Sequence, residues 1–155
     1  MKSDPFLEKL VAKCVQRDDE FQPPATQADI AKMVSEAKAK LGYSVNNDYL
    51  QFLRRFDGLD HNGYSVYATK ITLLTGYSDC YVTGFVERNL QYWQVDSNQQ
   101  FIAFGESGDE RFVFDKNAGK FAELDQPSAS LIRFHDSFDS LLARLLELAI
   151  GNFKI

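Results

Sequence analysis

The chain has 155 residues, 17 Lys and Arg against 22 Asp and Glu, a formal net charge of −5, and a composition that is 45% hydrophobic and 14% aromatic. A domain of that size hides about 70% of the surface its unfolded chain exposes, which excludes intrinsic disorder and the small scaffolds that depend on disulfides or metals. The net charge has the wrong sign for a protein that lives on phosphate backbones, and no stretch approaches the roughly 18 continuous apolar residues of a membrane span, so neither nucleic acid nor membrane is expected as a partner. The opening Met1-Lys2-Ser3-Asp4-Pro5 has no signal-like apolar run behind it, and the expectation is a cytoplasmic protein. Cys14 and Cys80 stand 66 residues apart among apolar and aromatic neighbours, a setting that predicts two buried, reduced thiols.

Asp4 and Pro5 suit a helix start, and Leu7, Leu10, Val11 and Cys14 recur at helical spacing, which predicts a first helix over residues 5–17. Asp18-Asp19-Glu20 and Pro23-Pro24 break that pattern and read as a linker within one domain whose core spans about residues 25–150. Thr26 and Asp29 form a capping box ahead of Ile30, Met33, Val34, Ala37 and Leu41, a second helix ending at Gly42. Asn46, Asn47 and Asp48 offer caps for a short third helix carrying Tyr49, Leu50, Phe52, Leu53 and Phe56, closed by Asp57-Gly58.

From Asn62 the pattern changes. Tyr64-Ser65-Val66-Tyr67 and Ile71-Thr72-Leu73-Leu74 are short, rich in β-branched and aromatic residues, and bounded by Gly63 and Gly76, which predicts strands. Val86, Leu90 and Trp93 share one helical stripe and predict a helix over 84–94. Residues 100–104, 111–114 and 120–124 are apolar runs separated by polar, glycine-containing turns, an arrangement that reads as two consecutive hairpins. Asp136 or Ser137 caps a final amphipathic helix with Phe138, Leu141, Leu142, Leu145, Leu146 and Ala149, stopped by Gly151. This order predicts a single α+β domain over residues 1–155: a mostly antiparallel or mixed sheet of five to six strands, flanked by N-terminal helices, a central helix and a C-terminal helix.

Reactive chemistry is sparse. His61 and His135 are 74 residues apart, and neither has a second His at helical spacing for a metal. Asp57, Asp60 and His61 make a metal or hydrolase site on paper, although turns enrich Asp and Gly for backbone reasons alone. His135 beside Asp136 reads as surface or capping structure. Gly105-Glu106-Ser107-Gly108 places its second glycine one position too early for a nucleophile elbow and lacks a phosphate-loop lysine. The residues predict no catalytic set, no metal and no cofactor. Charge is concentrated instead: residues 96–126 hold seven acids against three bases, so that segment carries −4 of the −5 and predicts a negative face suited to a basic partner.

Two blocks carry a resemblance. Leu41-Gly42-Tyr43-Ser44-Val45-Asn46-Asn47-Asp48-Tyr49-Leu50-Gln51-Phe52-Leu53-Arg54-Arg55-Phe56-Asp57-Gly58 resembles the SUKH superfamily signature, a Tyr-x-x-Phe-Leu helix ending in an Asn/Asp-Gly step. Residues 101–115, with the Gly105-x-x-Gly108-Asp109 step and Asp115, then Gly119 and Asp125, are similar to its strand–turn–strand segment. Leu41-Gly42 stands where the family has Leu-Pro, and Gly58-Leu59 where many members have two glycines. The resemblance covers about residues 25–150 and points to the bacterial YrhA-like branch. It implies an α+β domain in which Tyr49, Phe52, Leu53, Gly58, Gly105, Gly108, Asp109 and Asp115 are structural.

The same resemblance implies a non-catalytic immunity protein that binds a polymorphic toxin, often a nuclease, and covers its basic active-site channel. Candidate contacts are the tyrosines Tyr64, Tyr67, Tyr77 and Tyr81, since aromatic anchors dominate interfaces, with Glu106, Asp109, Glu110 and Asp115 as the charged set. A regulatory or scaffold adaptor for a host protein is the alternative, and a small-ligand protein or hydrolase using Asp57, Asp60 and His61 is the third.

Overall fold

A computed structural model describes residues 1–16, 21–76 and 80–151. Helix α1, Asp4–Gln16, buries Leu7, Leu10 and Cys14 in the main core. The Asp139 carboxylate accepts from the backbone N–H groups of Lys2 and Ser3 and from the Ser3 hydroxyl, while Lys13 Nζ donates to the Ile150 carbonyl at 2.9 Å. Both ends of α1 are therefore tied to the C-terminal helix, and α1 belongs to the same core as residues 25–150. The acidic break at 18–20 lies outside the described residues.

Helix α2, Gln27–Leu41, starts as its sequence predicts: Thr26 Oγ1 accepts from the Asp29 N–H at 3.1 Å, and Gly42 ends it at φ 63°. Helix α3, Asn47–Leu53, buries Tyr49, Phe52 and Leu53, and Asn46 precedes it without a side-chain cap. Asp57 then turns inward, accepting from the Thr69 N–H at 2.7 Å and from its hydroxyl at 3.0 Å. Gly58 follows at φ 88°, and a Cβ there would lie 2.8 Å from Val82, so both backbone and packing demand glycine.

The six-stranded antiparallel sheet runs in the order β1 (Leu59–His61), β2 (Tyr64–Val66), β5 (Phe101–Glu106), β6 (Glu110–Asp115), β7 (Lys120–Asp125) and β8 (Leu131–His135). A separate pair joins β3 (Thr72–Leu73) to β4 (Tyr81–Val82). The fold class is α+β, as the element order predicts. Three strands depart from expectation. β4 lies in a stretch to which the sequence assigns no element. β1 replaces a helix-ending turn, and β8 extends the expected pair of hairpins into a four-strand meander. Four of the five β8 residues are exposed, so that strand carries no alternation for the sequence to display.

Helix α4, Phe85–Tyr92, lies along the part of β5 that β2 is too short to cover. Its buried Asn89 does what a neighbouring strand does, accepting from the Ala103 N–H at 2.7 Å and donating to the Ala103 carbonyl at 2.8 Å. Trp93 Nε1 adds a bond to the Phe101 carbonyl at 2.9 Å. A 3₁₀ turn, Asp96–Gln100, leads into β5. Helix α5, Phe138–Ile150, is capped by Ser137, whose hydroxyl accepts from the Ser140 N–H at 3.0 Å, and ends at Gly151.

Aromatic rings bind these layers. Phe104 lies 5.0 Å from Phe138 and 5.2 Å from Tyr49, and Phe114 lies 5.1 Å from Phe121, in edge-on geometries that add to simple burial. Among the described residues, no helix is long and apolar enough to cross a membrane. Cys14 is buried as expected; Cys80 is exposed, because its strand pair stands outside the main core.

Candidate functional site

The turn from β5 to β6 brings most of the charged candidates together and sends them to opposite faces of the sheet. Glu106 pairs across the ladder with Arg111 on one face, and Glu110 pairs with Asp125 on the other. On the first face Arg88 grips Glu106 with two bonds, Nε to Oε1 at 2.7 Å and Nη2 to Oε2 at 2.8 Å, and the Tyr67 hydroxyl donates to Oε1 at 2.9 Å. Burial alone raises the Glu106 carboxyl, but the Arg88 and Tyr67 contacts more than reverse that and hold it below the usual range. Tyr92 receives the Arg111 guanidinium 3.7 Å from its ring centre and that of Arg88 at 4.6 Å. Arg111 also donates to Gln126 Oε1 at 2.7 Å and 3.0 Å.

On the second face the Tyr64 hydroxyl donates to Glu110 Oε1 at 3.2 Å. Glu123, 1% exposed, has Arg144 Nε at 3.3 Å and His135 Nε2 at 3.5 Å from Oε1. The other His135 nitrogen lies 3.3 Å from the Ser140 hydroxyl on α5. His135, read from sequence as surface structure, is thus buried, because at the end of β8 it lies between Glu123 of β7 and Ser140 of α5.

These geometries sort the candidates. Tyr67 is fully buried, with its hydroxyl spent on Glu106, so it offers no surface to a partner and corrects the expectation of a contact there. Tyr64 is half-buried and Tyr81 is 60% exposed; Tyr77 lies outside the described residues. Asp109 is exposed, while Asp115 holds the β6–β7 turn by accepting from the Asn117 N–H at 3.0 Å. Asp109 and Asp115 flank opposite ends of β6, about 20 Å apart at the usual rise per residue, so the acids of 96–126 do not gather on one face. Tyr49, Phe52 and Leu53 are core, and Gly105 is tightly enclosed while Gly108 is open on every side.

The metal or hydrolase reading finds no assembled site. Asp57 is committed to Thr69, and Asp60 and His61 are successive residues of β1 that point to opposite faces. Among the described residues, no group of three His, Cys, Asp or Glu could hold a metal ion. A cavity between α5 and the sheet is lined by Val66, Phe104, Phe112, Phe138, Leu141, Leu142 and Leu145, a wholly apolar wall with no group for chemistry.

Beside Tyr81, which the sequence nominates, the surface holds apolar residues that sequence reasoning missed. Leu73 and Tyr81 are direct cross-strand partners in the β3–β4 pair, 46% and 60% exposed, and Ile71, two residues before Leu73, is 57% exposed. A second apolar strip, Leu131, Ile132 and Phe134, lies on the edge strand β8. Periodicity could not reveal either, since an apolar residue in a short strand reads as core whichever way it faces. No protein-family model matches this chain, and no curated protein matches its sequence.

Proposed function

We propose that this chain is a non-catalytic protein-binding domain of the cytoplasm, and that it acts as an immunity protein covering the active site of a toxin, a nuclease in the first instance. The observation that carries the reading is the β3–β4 surface: Ile71, Leu73 and Tyr81 stand exposed side by side, where water contact costs free energy that a partner surface recovers. Tyr81 has the size and amphipathic character of an interface anchor. The ionisable candidates support it from the other side, because Glu106 and Glu123 are tied to guanidinium groups in pairs rather than directed at a shared substrate position. Exposed Asp109, with the net charge of −5, favours encounter with a basic channel.

The test pairs this chain with the toxin domain encoded beside its gene. Co-expression restores growth that the toxin alone arrests, and the purified chain forms a complex with the toxin. Leu73→Ala with Tyr81→Ala abolishes rescue and weakens binding at least about tenfold, as removal of an interface anchor does. Thermal stability stays unchanged, since exposed substitutions alter it by about 0.5 kcal/mol or less. Rescue and binding unaffected by the double substitution refute the assignment of this surface, and turnover of a substrate by the purified chain refutes the non-catalytic reading.

A further inference from the structure

Glu110 and Glu123 occupy neighbouring antiparallel strands on one face of the sheet: Glu110 pairs with Asp125, and Glu123 with Phe112, which makes the two glutamates diagonal neighbours. Their Cα atoms are then about 7–8 Å apart, a span two glutamate side chains close. Every packed element adds a group. β2 brings Tyr64 to Glu110, β8 brings His135 to Glu123, and α5 brings Arg144 to Glu123, with Arg144 also 3.5 Å from Glu147. Facing the pair more distantly are His61 opposite Tyr64, Asp125 opposite Glu110, Arg133 opposite Glu123, and Asp109 in the adjoining turn. Against the carboxylates of Glu110, Glu123 and Glu147 the α5 side supplies one guanidinium.

We propose that Glu110 and Glu123 hold a single proton between them, and that this proton is a latch fastening α5 and β8 to the middle of the sheet. With the proton in place the Glu110 carboxyl donates to Glu123, and Glu123 keeps its full charge for Arg144 and His135. When the proton leaves, two carboxylates on diagonal positions of one face repel each other, and the relief available is separation of the strands from α5 at this end. The balance of groups agrees: burial, then the hydrogen bond and charge of Glu123, push Glu110 up to about 7, while Glu123, which burial would raise, is brought below the usual range by His135, Glu110 and Arg144. A carboxyl raised by folding binds its proton more tightly in the folded state, so the stability it confers is present at acid pH and is lost as pH climbs through about 7. The latch thus sits at the edge of neutral pH, independently of which partner the β3–β4 surface takes.

Urea unfolding of the whole chain from pH 5.5 to 8.5, wild type against Glu110→Gln, isolates the effect, because the glutamine amide can still donate to Glu123 and cannot titrate. A single site moving from its ordinary value to about 7 gives at most about a thirtyfold change over that interval, and partial exposure of Glu110 reduces this to about tenfold. The expected result is that the ratio of the wild-type to the variant unfolding constant rises about tenfold with pH. A flat ratio overturns the proposal. Carbon-13 NMR of the wild-type glutamate carboxyls needs no variant: a carboxyl titrating near 7, accompanied by the Arg144 Nε signal and by α5 amides, supports the latch. Titration of both glutamates below about 5, or an Arg144 signal indifferent to the titration, refutes it.

Discussion

Gly105 and Gly108 look equivalent in the sequence, two glycines three apart around a polar turn, yet they differ sharply in the fold. A Cβ built on Gly105 overlaps the Ser65 carbonyl oxygen and comes within 2.9 Å of Leu145 Cδ1. The first of these is backbone, held by the β2–β5 ladder in which Gly105 pairs with Val66, and on its other side Gly105 pairs with Phe112. Neither flanking strand can withdraw without opening the sheet. Gly105 does not have a left-handed φ, so the effect of a side chain is steric alone. Overpacking of this kind costs about 1–3 kcal/mol where side chains can adjust, and with rigid backbone as the obstacle the upper figure applies to Gly105→Ala. For a domain of this length, about 3 kcal/mol lowers Tm by about 6–12 °C. Gly108 has nothing within 4 Å of its Cβ position, so Gly108→Ala is neutral within about 0.5 kcal/mol, or slightly stabilising through the entropy of the unfolded chain. Calorimetric melts of the two variants, with urea midpoints as a second measure, decide the matter. Equal Tm values, or a Gly105→Ala protein as stable as the parent, refute the β2–β5 register and the close approach of Leu145.

Two further substitutions probe the polar ties. Arg88→Ala removes both guanidinium bonds to Glu106 and leaves a largely buried carboxylate with the Tyr67 hydroxyl as its main donor, a loss of about 1–2 kcal/mol at pH 7 by urea titration. Since folding holds the Glu106 carboxyl below its usual range, the pair stabilises above about pH 4.5 and the difference between parent and variant shrinks on further acidification; a difference that grows in acid contradicts the assignment. Asp139→Ala strips the acceptor from the N–H groups of Lys2 and Ser3 and from the Ser3 hydroxyl, costing about 2–3 kcal/mol, and amide exchange in α1 rises more than in α2. Uniform exchange across both helices counts against a local anchor.

The elements most legible in the sequence are those whose local chemistry and tertiary role agree. In α2 and α5 the capping residue, the apolar stripe and the terminal glycine all point one way, and Thr26, Gly42, Ser137 and Gly151 stand where that chemistry puts them. The three apolar runs that become β5, β6 and β7 are buried on both sides, so their hydrophobic content declares them. β1 and β8 fail that test for a common reason: as the two edges of the sheet they are short or exposed, and their pairing is decided by a partner strand rather than by their own pattern. The long-range ties of α1 to Asp139 and Ile150 span more than 130 residues of chain, a distance at which no local signal operates.

The candidate site was legible in its residue types and illegible in their allegiance. Sequence marks Tyr64, Tyr67, Glu106 and Glu110 as polar groups of one neighbourhood, and they do meet around one turn. What it cannot indicate is that alternation along β5 and β6 sends Glu106 and Glu110 to opposite faces, where each finds an internal counterpart before any partner arrives. A buried carboxylate without a donor is costly enough that folding recruits Arg88 to Glu106 and Arg144 to Glu123, the diagonal neighbour of Glu110, and a charge already matched in this way has little left to offer a second protein. The apolar residues obey the reverse logic. Leu73 and Tyr81 lie on the outer side of a strand pair whose inward residue, Val82, is buried, and both stay exposed among the described residues. The contact surface proposed for a partner is therefore the β3–β4 pair, while Glu106, Glu110 and Glu123 are engaged within the sheet and with its helices.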